Sequence, residues 1–179
     1  MNIDGCSKGN PGQAGAGAVM RDEGGVTVFE LSEPLGERTS NEAESLSLIL
    51  GLERVVSEHD VGTLVVRSDS ELLVNQMNGD YKVKKPELKA LKERADLLVR
   101  QLKGFRIEQV PREQNEEADR LSDEAVRGKG ARRPVGRYIS TVDIERYCTA
   151  RCEGGKFGDG HCRERACHLL GFTSEVLKL

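Results

Sequence analysis

The sequence predicts an α/β domain that opens with a β-hairpin. Three observations lead there. Short apolar runs of strand length alternate with longer stretches whose apolar residues recur at helical spacing. Gly, Asn and Pro punctuate the boundaries between them. The length, 179 residues, suits one ordinary domain with an appendage. A domain of this size buries roughly 70% of its unfolded surface, so it needs no disulfide staples.

Taken in order, Asn2-Ile3-Asp4 reads as the end of a first strand, with Asp4 closing it before Gly5. Residues 12–17 are Gly/Ala-rich and lead into Ala18-Val19-Met20. After a Glu23-Gly24-Gly25 turn, residues 26–31 (VTVFEL) form the return arm of a hairpin. Residues 41–58 carry Ala43, Leu46, Ile49, Leu50, Leu52 and Val56 at helical spacing. Gly62 punctuates, and Leu64-Val65-Val66 is a short run of the buried-strand kind. Residues 70–77 read as a helix closed at Asn78-Gly79. Residues 87–102 place Leu88, Leu91, Ala95, Leu98 and Leu102 on one helical face. Phe105, Ile107, Gln109 and Val110 mark a strand stopped by Pro111, and residues 115–126 a last helix. The expected order is β-β-β-α-β-α-α-β-α over residues 1–128. A basic linker at 129–139 and a small Cys/His appendage at 140–179 follow.

Composition excludes several classes. Apolar residues at 37% and charged residues at 32%, 27 basic against 30 acidic, rule out a disordered chain of one dominant charge and a collagen-like repeat. No window approaches 18 uninterrupted apolar residues, so no transmembrane helix is expected. The opening lacks a basic segment followed by an apolar one, and the five cysteines are odd in number. Both point to a reducing, cytoplasmic setting. The net charge of −3 argues against indiscriminate polyanion binding. The charge is uneven, however: nine basic and three acidic residues lie between Lys82 and Arg106, and five basic with no acidic ones between Arg127 and Arg137. Without Trp, a nucleic-acid partner would be gripped by its backbone rather than by stacking.

Four carboxylates stand out by placement. Asp4 and Asp69 follow apolar strand runs, and functional groups in open α/β sheets gather beyond the carboxyl ends of strands. Glu44 and Asp119 lie in the first turns of helices. Gathered together, such acids would require hard divalent cations such as Mg²⁺. Two ions about 3.5–4 Å apart would clamp both oxygens of a phosphodiester displacement. Singly, each has an ordinary explanation. Asp69 is placed to cap the helix at Ser70, Asn41 and Glu44 have capping-box spacing, and Asp119 could pair with Arg112 or Arg120.

The four in sequence are more specific. Asp4-Gly5-Cys6-Ser7-Lys8-Gly9-Asn10-Pro11-Gly12-Gln13-Ala14-Gly15 resembles the opening motif of type 1 ribonuclease H, in its archaeal and plant-like variant. Thr39-Ser40-Asn41-Glu42-Ala43-Glu44, Ser68-Asp69-Ser70 and Asn115-Glu116-Glu117-Ala118-Asp119-Arg120-Leu121 resemble its second, third and fourth motifs. The resemblance spans about residues 1–127. It implies a five-stranded mixed sheet in the order 3-2-1-4-5, flanked by helices. It further implies a Mg²⁺-dependent endonuclease, with Mn²⁺ as a substitute, that cuts the RNA strand of an RNA–DNA hybrid and leaves 5′-phosphate and 3′-hydroxyl ends. It makes Asp4, Glu44, Asp69 and Asp119 the catalytic metal ligands. Gly9, Asn10 and Asn41 would be contacts to 2′-hydroxyls in the minor groove. Thr39 and Ser70 would meet DNA phosphates. Arg112 would stand where many bacterial members carry a His. A monomer with no obligate protein partner is expected.

The departures are a short lead-in of Met1-Asn2-Ile3 before Asp4, a protrusion shortened to residues 81–85, and Glu71 where relatives carry Gln. His59, at a helix end, reads as a terminal charge. Two other readings stand beside the nuclease: a hybrid- or RNA-duplex-binding module without turnover, and an integrase- or exonuclease-like enzyme acting on DNA. The four acids argue against the first, and the segments matched to 2′-hydroxyl contacts argue against the second. In the appendage, Cys148, Cys152, Cys162 and Cys167, with His161 and His168 beside the second pair, could hold Zn²⁺. None of these pairs has Cys-x₂-Cys spacing, and the alternative is a helical tail whose cysteines pack as small hydrophobes.

Overall fold

The computed structural model describes residues 1–58 and 61–128. The expected linker at 129–139, the appendage with its zinc candidates, and His59 lie outside the described residues. In chain order the elements are β1 (Asn2–Gly9), β2 (Gly12–Arg21), β3 (Thr27–Arg38), α1 (Ser40–Glu58), β4 (Thr63–Ser68), α2 (Glu71–Asn78), α3 (Pro86–Val99), β5 (Gly104–Gln109) and α4 (Glu116–Val126). One five-stranded sheet forms, ordered β3-β2-β1-β4-β5, with antiparallel pairing on the β1–β2–β3 side and parallel pairing of β1, β4 and β5. Element order and strand order are those expected from the sequence. Among the described residues, no helix is long and apolar enough to cross a membrane.

The boundaries differ in ways that matter for the site. β1 does not end at Asp4 but runs five residues further, to Gly9. It is held along its whole length by β2, from Asn2 opposite Val19 to Gly9 opposite Gly12. The Gly/Ala run at residues 12–17 is already strand, and β3 continues past Leu31 to Arg38. Small residues conceal the end of β1 and the start of β2 from a reading based on bulky alternation, and β2, buried along most of its length, has little need of it. The end of β3 is largely exposed and carries Pro34 and Gly36, residues that ordinarily interrupt a strand. Asp69 does not cap α2; Ser70 does, its Oγ accepting from the Leu73 amide, and Gly79 closes the helix in the left-handed conformation (φ +88°). α3 begins with Pro86 in its first turn and stops at Val99, short of Leu102.

The main core lies on one face of the sheet. Ile3, Ala16, Ala18, Phe29, Leu31, Leu64 and Val66 meet Leu48, Ile49, Leu52 and Val55 of α1, with Leu73 and Val74 of α2 and Ala95 of α3. On the other face α4 lies over β1, β2 and β3 and buries Ala118, Leu121, Ser122 and Ala125. Two glycines let it come that close. A Cβ at Gly17 would sit 2.2 Å from the Ala118 carbonyl oxygen and 2.5 Å from the Ser122 nitrogen, and one at Gly15 would sit 2.3 Å from the Ser122 oxygen. Backbone blocks the way in both cases, so no rotamer change relieves the clash.

Gly17→Ala should therefore lift α4 from the sheet and cost at least about 2 kcal/mol, measured by urea denaturation. Gly25→Ala is a poor comparison because its φ is +82°. Gly62→Ala, with nothing within 4 Å of the new methyl, should change stability by less than about 1 kcal/mol.

Candidate active site

The site arises where the two halves of the sheet part. β1 pairs with β4 only at Asn2 opposite Arg67, with the Arg67 amide donating to the Met1 carbonyl at 2.8 Å. Beyond that point β1 follows β2 and β4 follows β5, which opens a fork at the carboxyl end of β4. Asp4 stands on β1 at the fork. Asp69 directly follows Ser68, the last residue of β4.

Glu44 enters from α1. The start of that helix is capped two residues earlier than Asn41–Glu44: the Thr39 amide and hydroxyl donate to Glu42 Oε2 at 2.8 and 2.6 Å, and the Glu42 amide donates back to Thr39 Oγ1 at 3.4 Å. This is a Thr-x-x-Glu capping box, and it leaves Glu44 without a capping duty. Gly5 lets the helix press onto β1, since a Cβ there would meet the Ala43 carbonyl carbon and the Glu44 nitrogen at 2.2 Å. Asp4, Glu44 and Asp69 each offer one carboxylate oxygen, and these atoms lie within 4.8 Å of one another.

The electrostatics are unfavourable for three free carboxylates. Burial, and then the charges of Asp69 and Asp119, push the Asp4 carboxyl up to about 6 from an ordinary 3.8, while the Ser122 hydrogen bond and Arg112 pull the other way. Glu44 is held well above the usual carboxylate range by burial first and by Asp4 and Asp69 next, with a Gly5 backbone hydrogen bond opposing. Glu44 Oε2 is buried with no hydrogen-bond partner. Buried polar atoms are normally satisfied. An all-oxygen donor set containing one such orphan fits a hard divalent cation.

The fourth acid is not in the group. Asp119, in the first turn of α4, is one-third exposed and pairs with Arg112 through its Oδ1 at 2.6 Å. The structure thus brings three of the four expected ligands together and joins the fourth to the expected Arg112, the ordinary pairing that its position allowed. Asp119 remains close enough for its charge to act on both Asp4 and Glu44.

The expected substrate contacts fall into two places. Gly9 (φ +133°) and the exposed Asn10 form the β1–β2 turn, next to the start of α1. Asn10 Oδ1 accepts from the Ser40 amide at 3.3 Å, and Ser7 Oγ donates to the Arg38 carbonyl at 2.8 Å. Thr39 is bound to Glu42, whereas Asn41 is exposed. Ser70 lies apart from these, beside Asp69, as the cap of α2. Of the basic run, Lys92, Arg94 and Arg106 form ion pairs with Asp96, Glu53 and Glu108. Lys82, Lys84 and Lys85 are exposed between α2 and α3.

Several supporting residues escape a reading of the sequence. Asn115 precedes α4, where a capping role is the natural guess, yet it makes no cap hydrogen bond and is 1% exposed. Its Nδ2 donates to the Ile3 carbonyl at 2.9 Å and to Asp69 Oδ1 at 3.1 Å, and its Oδ1 accepts from Asn2 at 3.1 Å. It ties β1, α4 and Asp69 together. Ser47 donates to the Asp4 carbonyl at 2.5 Å, and Ser122 donates to Asp4 Oδ2. A buried Asn beside a proline-broken strand is the one faint signal. A serine within an apolar helix face gives none.

The family model described as reverse transcriptase-like matches residues 2–125. A bifunctional protein of Mycobacterium tuberculosis is 42% identical over 127 residues, which is 70% of this chain and 35% of that protein. The chain therefore spans about a third of the length of the first curated relatives it matches. The crystal structure of ribonuclease H1 from the halophilic archaeon Halobacterium salinarum superposes with a TM-score of 0.68 at 35% identity, covering 71% of this chain and 96% of that one. A compost-derived ribonuclease H1, solved in complex with RNA/DNA hybrid, gives a TM-score of 0.68 at 40% identity, covering 71% and 95%.

The raised Asp4 value makes stability depend on pH. The folded protein keeps the Asp4 proton up to about pH 6, whereas the unfolded chain loses it near 3.8. The resulting stabilisation is full below pH 3.8 and is lost as pH rises through 6. In metal-free buffer, wild-type stability should fall relative to Asp4→Asn by roughly 2 kcal/mol between pH 4.5 and 7, followed by urea denaturation at each pH.

Proposed function

The chain belongs to the reverse transcriptase-like family, with a ribonuclease H-like domain over residues 2–125, and from that premise we propose that it is an endoribonuclease acting on the RNA strand of RNA–DNA hybrids by two-metal-ion catalysis. One observation carries this reading. Three carboxylates converge, one of them with a buried, unpartnered oxygen on Glu44, a costly arrangement that a bound cation would relieve. The relative solved with RNA/DNA hybrid supports the choice of substrate.

In this reading Asp4, Glu44, Asp69 and Asp119 hold two Mg²⁺ ions, with Mn²⁺ able to substitute. Bound there, the metals would supply Lewis-acid stabilisation as water attacks the phosphorus and the 3′-oxygen leaves, so that the products would carry 5′-phosphate and 3′-hydroxyl ends. Asp119, paired with Arg112 in this structure, would complete the ligand set, which would free Arg112 for a phosphate. Glu44 would also sense the 2′-hydroxyl beside the cut. Gly9, Asn10 and Asn41, exposed near the entrance of α1, read 2′-hydroxyls by backbone and amide groups, which separates RNA from DNA. Thr39 and Ser70 approach the DNA strand's phosphates at helix N-termini. Lys82, Lys84 and Lys85 add backbone attraction. All four acids come from one chain, so a monomer suffices. Zinc at Cys148, Cys152, Cys162 and Cys167 is a separate proposal, which elemental analysis of the full chain decides.

The test is incubation of the full chain with labelled RNA–DNA hybrid, RNA duplex and DNA duplex, each with Mg²⁺ or EDTA. Only the RNA strand of the hybrid should be cut, only with Mg²⁺, and at a rate that falls steeply with salt. Asp69→Asn should lower the rate by more than about 100-fold, beyond the loss typical of an outer-shell partner, with an unchanged circular dichroism spectrum. Cutting of DNA duplex at a comparable rate, or full activity in Asp69→Asn, would refute the assignment.

A further inference from the structure

Asp4 is 5% exposed, and one of its carboxylate oxygens, Oδ2, accepts from a hydroxyl on α4. That hydroxyl belongs to Ser122, which is 0% exposed and lies one turn after Asp119 on α4. Its position is rigid. The two glycines opposite it, Gly15 and Gly17, place the strand against its backbone oxygen and nitrogen. Ser122 Oγ also lies 2.9 Å from the Asp119 carbonyl oxygen, and the Cys6 thiol is a third neighbour. A hydroxyl has a single proton. Of its neighbours, an ionised carboxylate is the strongest acceptor, so the proton favours Asp4.

We propose that Ser122 is a positioning residue: its hydroxyl fixes the Asp4 carboxylate in the orientation that presents an oxygen to Glu44 and Asp69, and so sets the cation affinity of the cluster. The inference rests on reading the acid cluster as a cation site. Outer-shell partners of this kind orient ligating carboxylates, and their loss typically weakens metal binding by roughly 10- to 100-fold. Through Ser122, the acid on β1 is bonded to the helix that carries Asp119.

Ser47 supplies the internal control. It is equally buried and it too bonds Asp4, but at the backbone carbonyl, where it cannot turn the carboxylate. Mn²⁺ binding to the full chain without nucleic acid is measured by calorimetric titration for wild type, Ser122→Ala, Ser122→Thr and Ser47→Ala, with thermal melting alongside. Ser122→Ala should bind Mn²⁺ at least 10-fold more weakly. Ser122→Thr, which keeps the hydroxyl, should recover most of that loss. Ser47→Ala should melt lower yet bind within threefold of wild type. Binding within threefold of wild type in Ser122→Ala, or equal weakening in Ser47→Ala, would overturn the positioning role while leaving the cation site intact. A wild-type protein that binds no Mn²⁺ would overturn both readings.

Discussion

Like charges held close together, one of them buried, are the constraint around which this domain is organised. Asp4, Glu44 and Asp69 lie within 4.8 Å of one another, and burial and mutual repulsion raise Asp4 and Glu44 above their ordinary range. Two unit charges about 4 Å apart repel by roughly 4 kcal/mol at the effective dielectric of a protein surface. Nothing in the cluster itself offsets that cost. The scaffold must therefore impose the arrangement, and every layer of the fold contributes. The fork between β1 and β4 sets two of the acids, the Gly5 approach brings α1 and Glu44, and Asn115 holds Asp69 from the far side.

The small residues follow from the same constraint. Glycine at 5, 15 and 17 weakens a strand by its entropy and its lack of side-chain packing. Here each lets a helix backbone approach where a methyl would collide. Helices on both faces of β1 and β2 thus come close enough for Ser47 to reach the Asp4 carbonyl and for Ser122 to reach its carboxylate. The large apolar side chains on α1 then supply the burial that holds the layers together.

Much of this could be read from the sequence, for reasons that differ by element. α1 and β4 were legible because bulky residues recur at the period of their element, and the order of strands came from the family resemblance that the four motifs carry. β1 and β2 were only half visible. Their glycines and alanines serve close packing, which leaves no pattern of alternating size, so Asp4 seemed to close a strand that in fact continues to Gly9. The four acids were found by motif, and Arg112 was one of two partners that spacing offered Asp119, but the partners of Asp4 and Asp69 were not found. The pairing of Asp119 with Arg112 is a local choice between neighbours seven residues apart, and the capping of α1 by Thr39 and Glu42 depends on where the helix actually starts. Asn115, Ser47 and Ser122 act across more than 40 residues of sequence, and spacing along one chain gives no hint of that.

The central claim is that the three-acid cluster is a cation site whose occupation relieves the strain of gathering it. Thermal unfolding at pH 7.5 with and without Mg²⁺, for wild type and Asp69→Asn in parallel, tests it most directly. A ligand that binds only the folded state at ten times its Kd adds roughly 1.4 kcal/mol of stability, a shift of several degrees in Tm for a domain of this size. Wild type should show that shift and Asp69→Asn should not. No shift in wild type, or the same shift in both, would contradict the account.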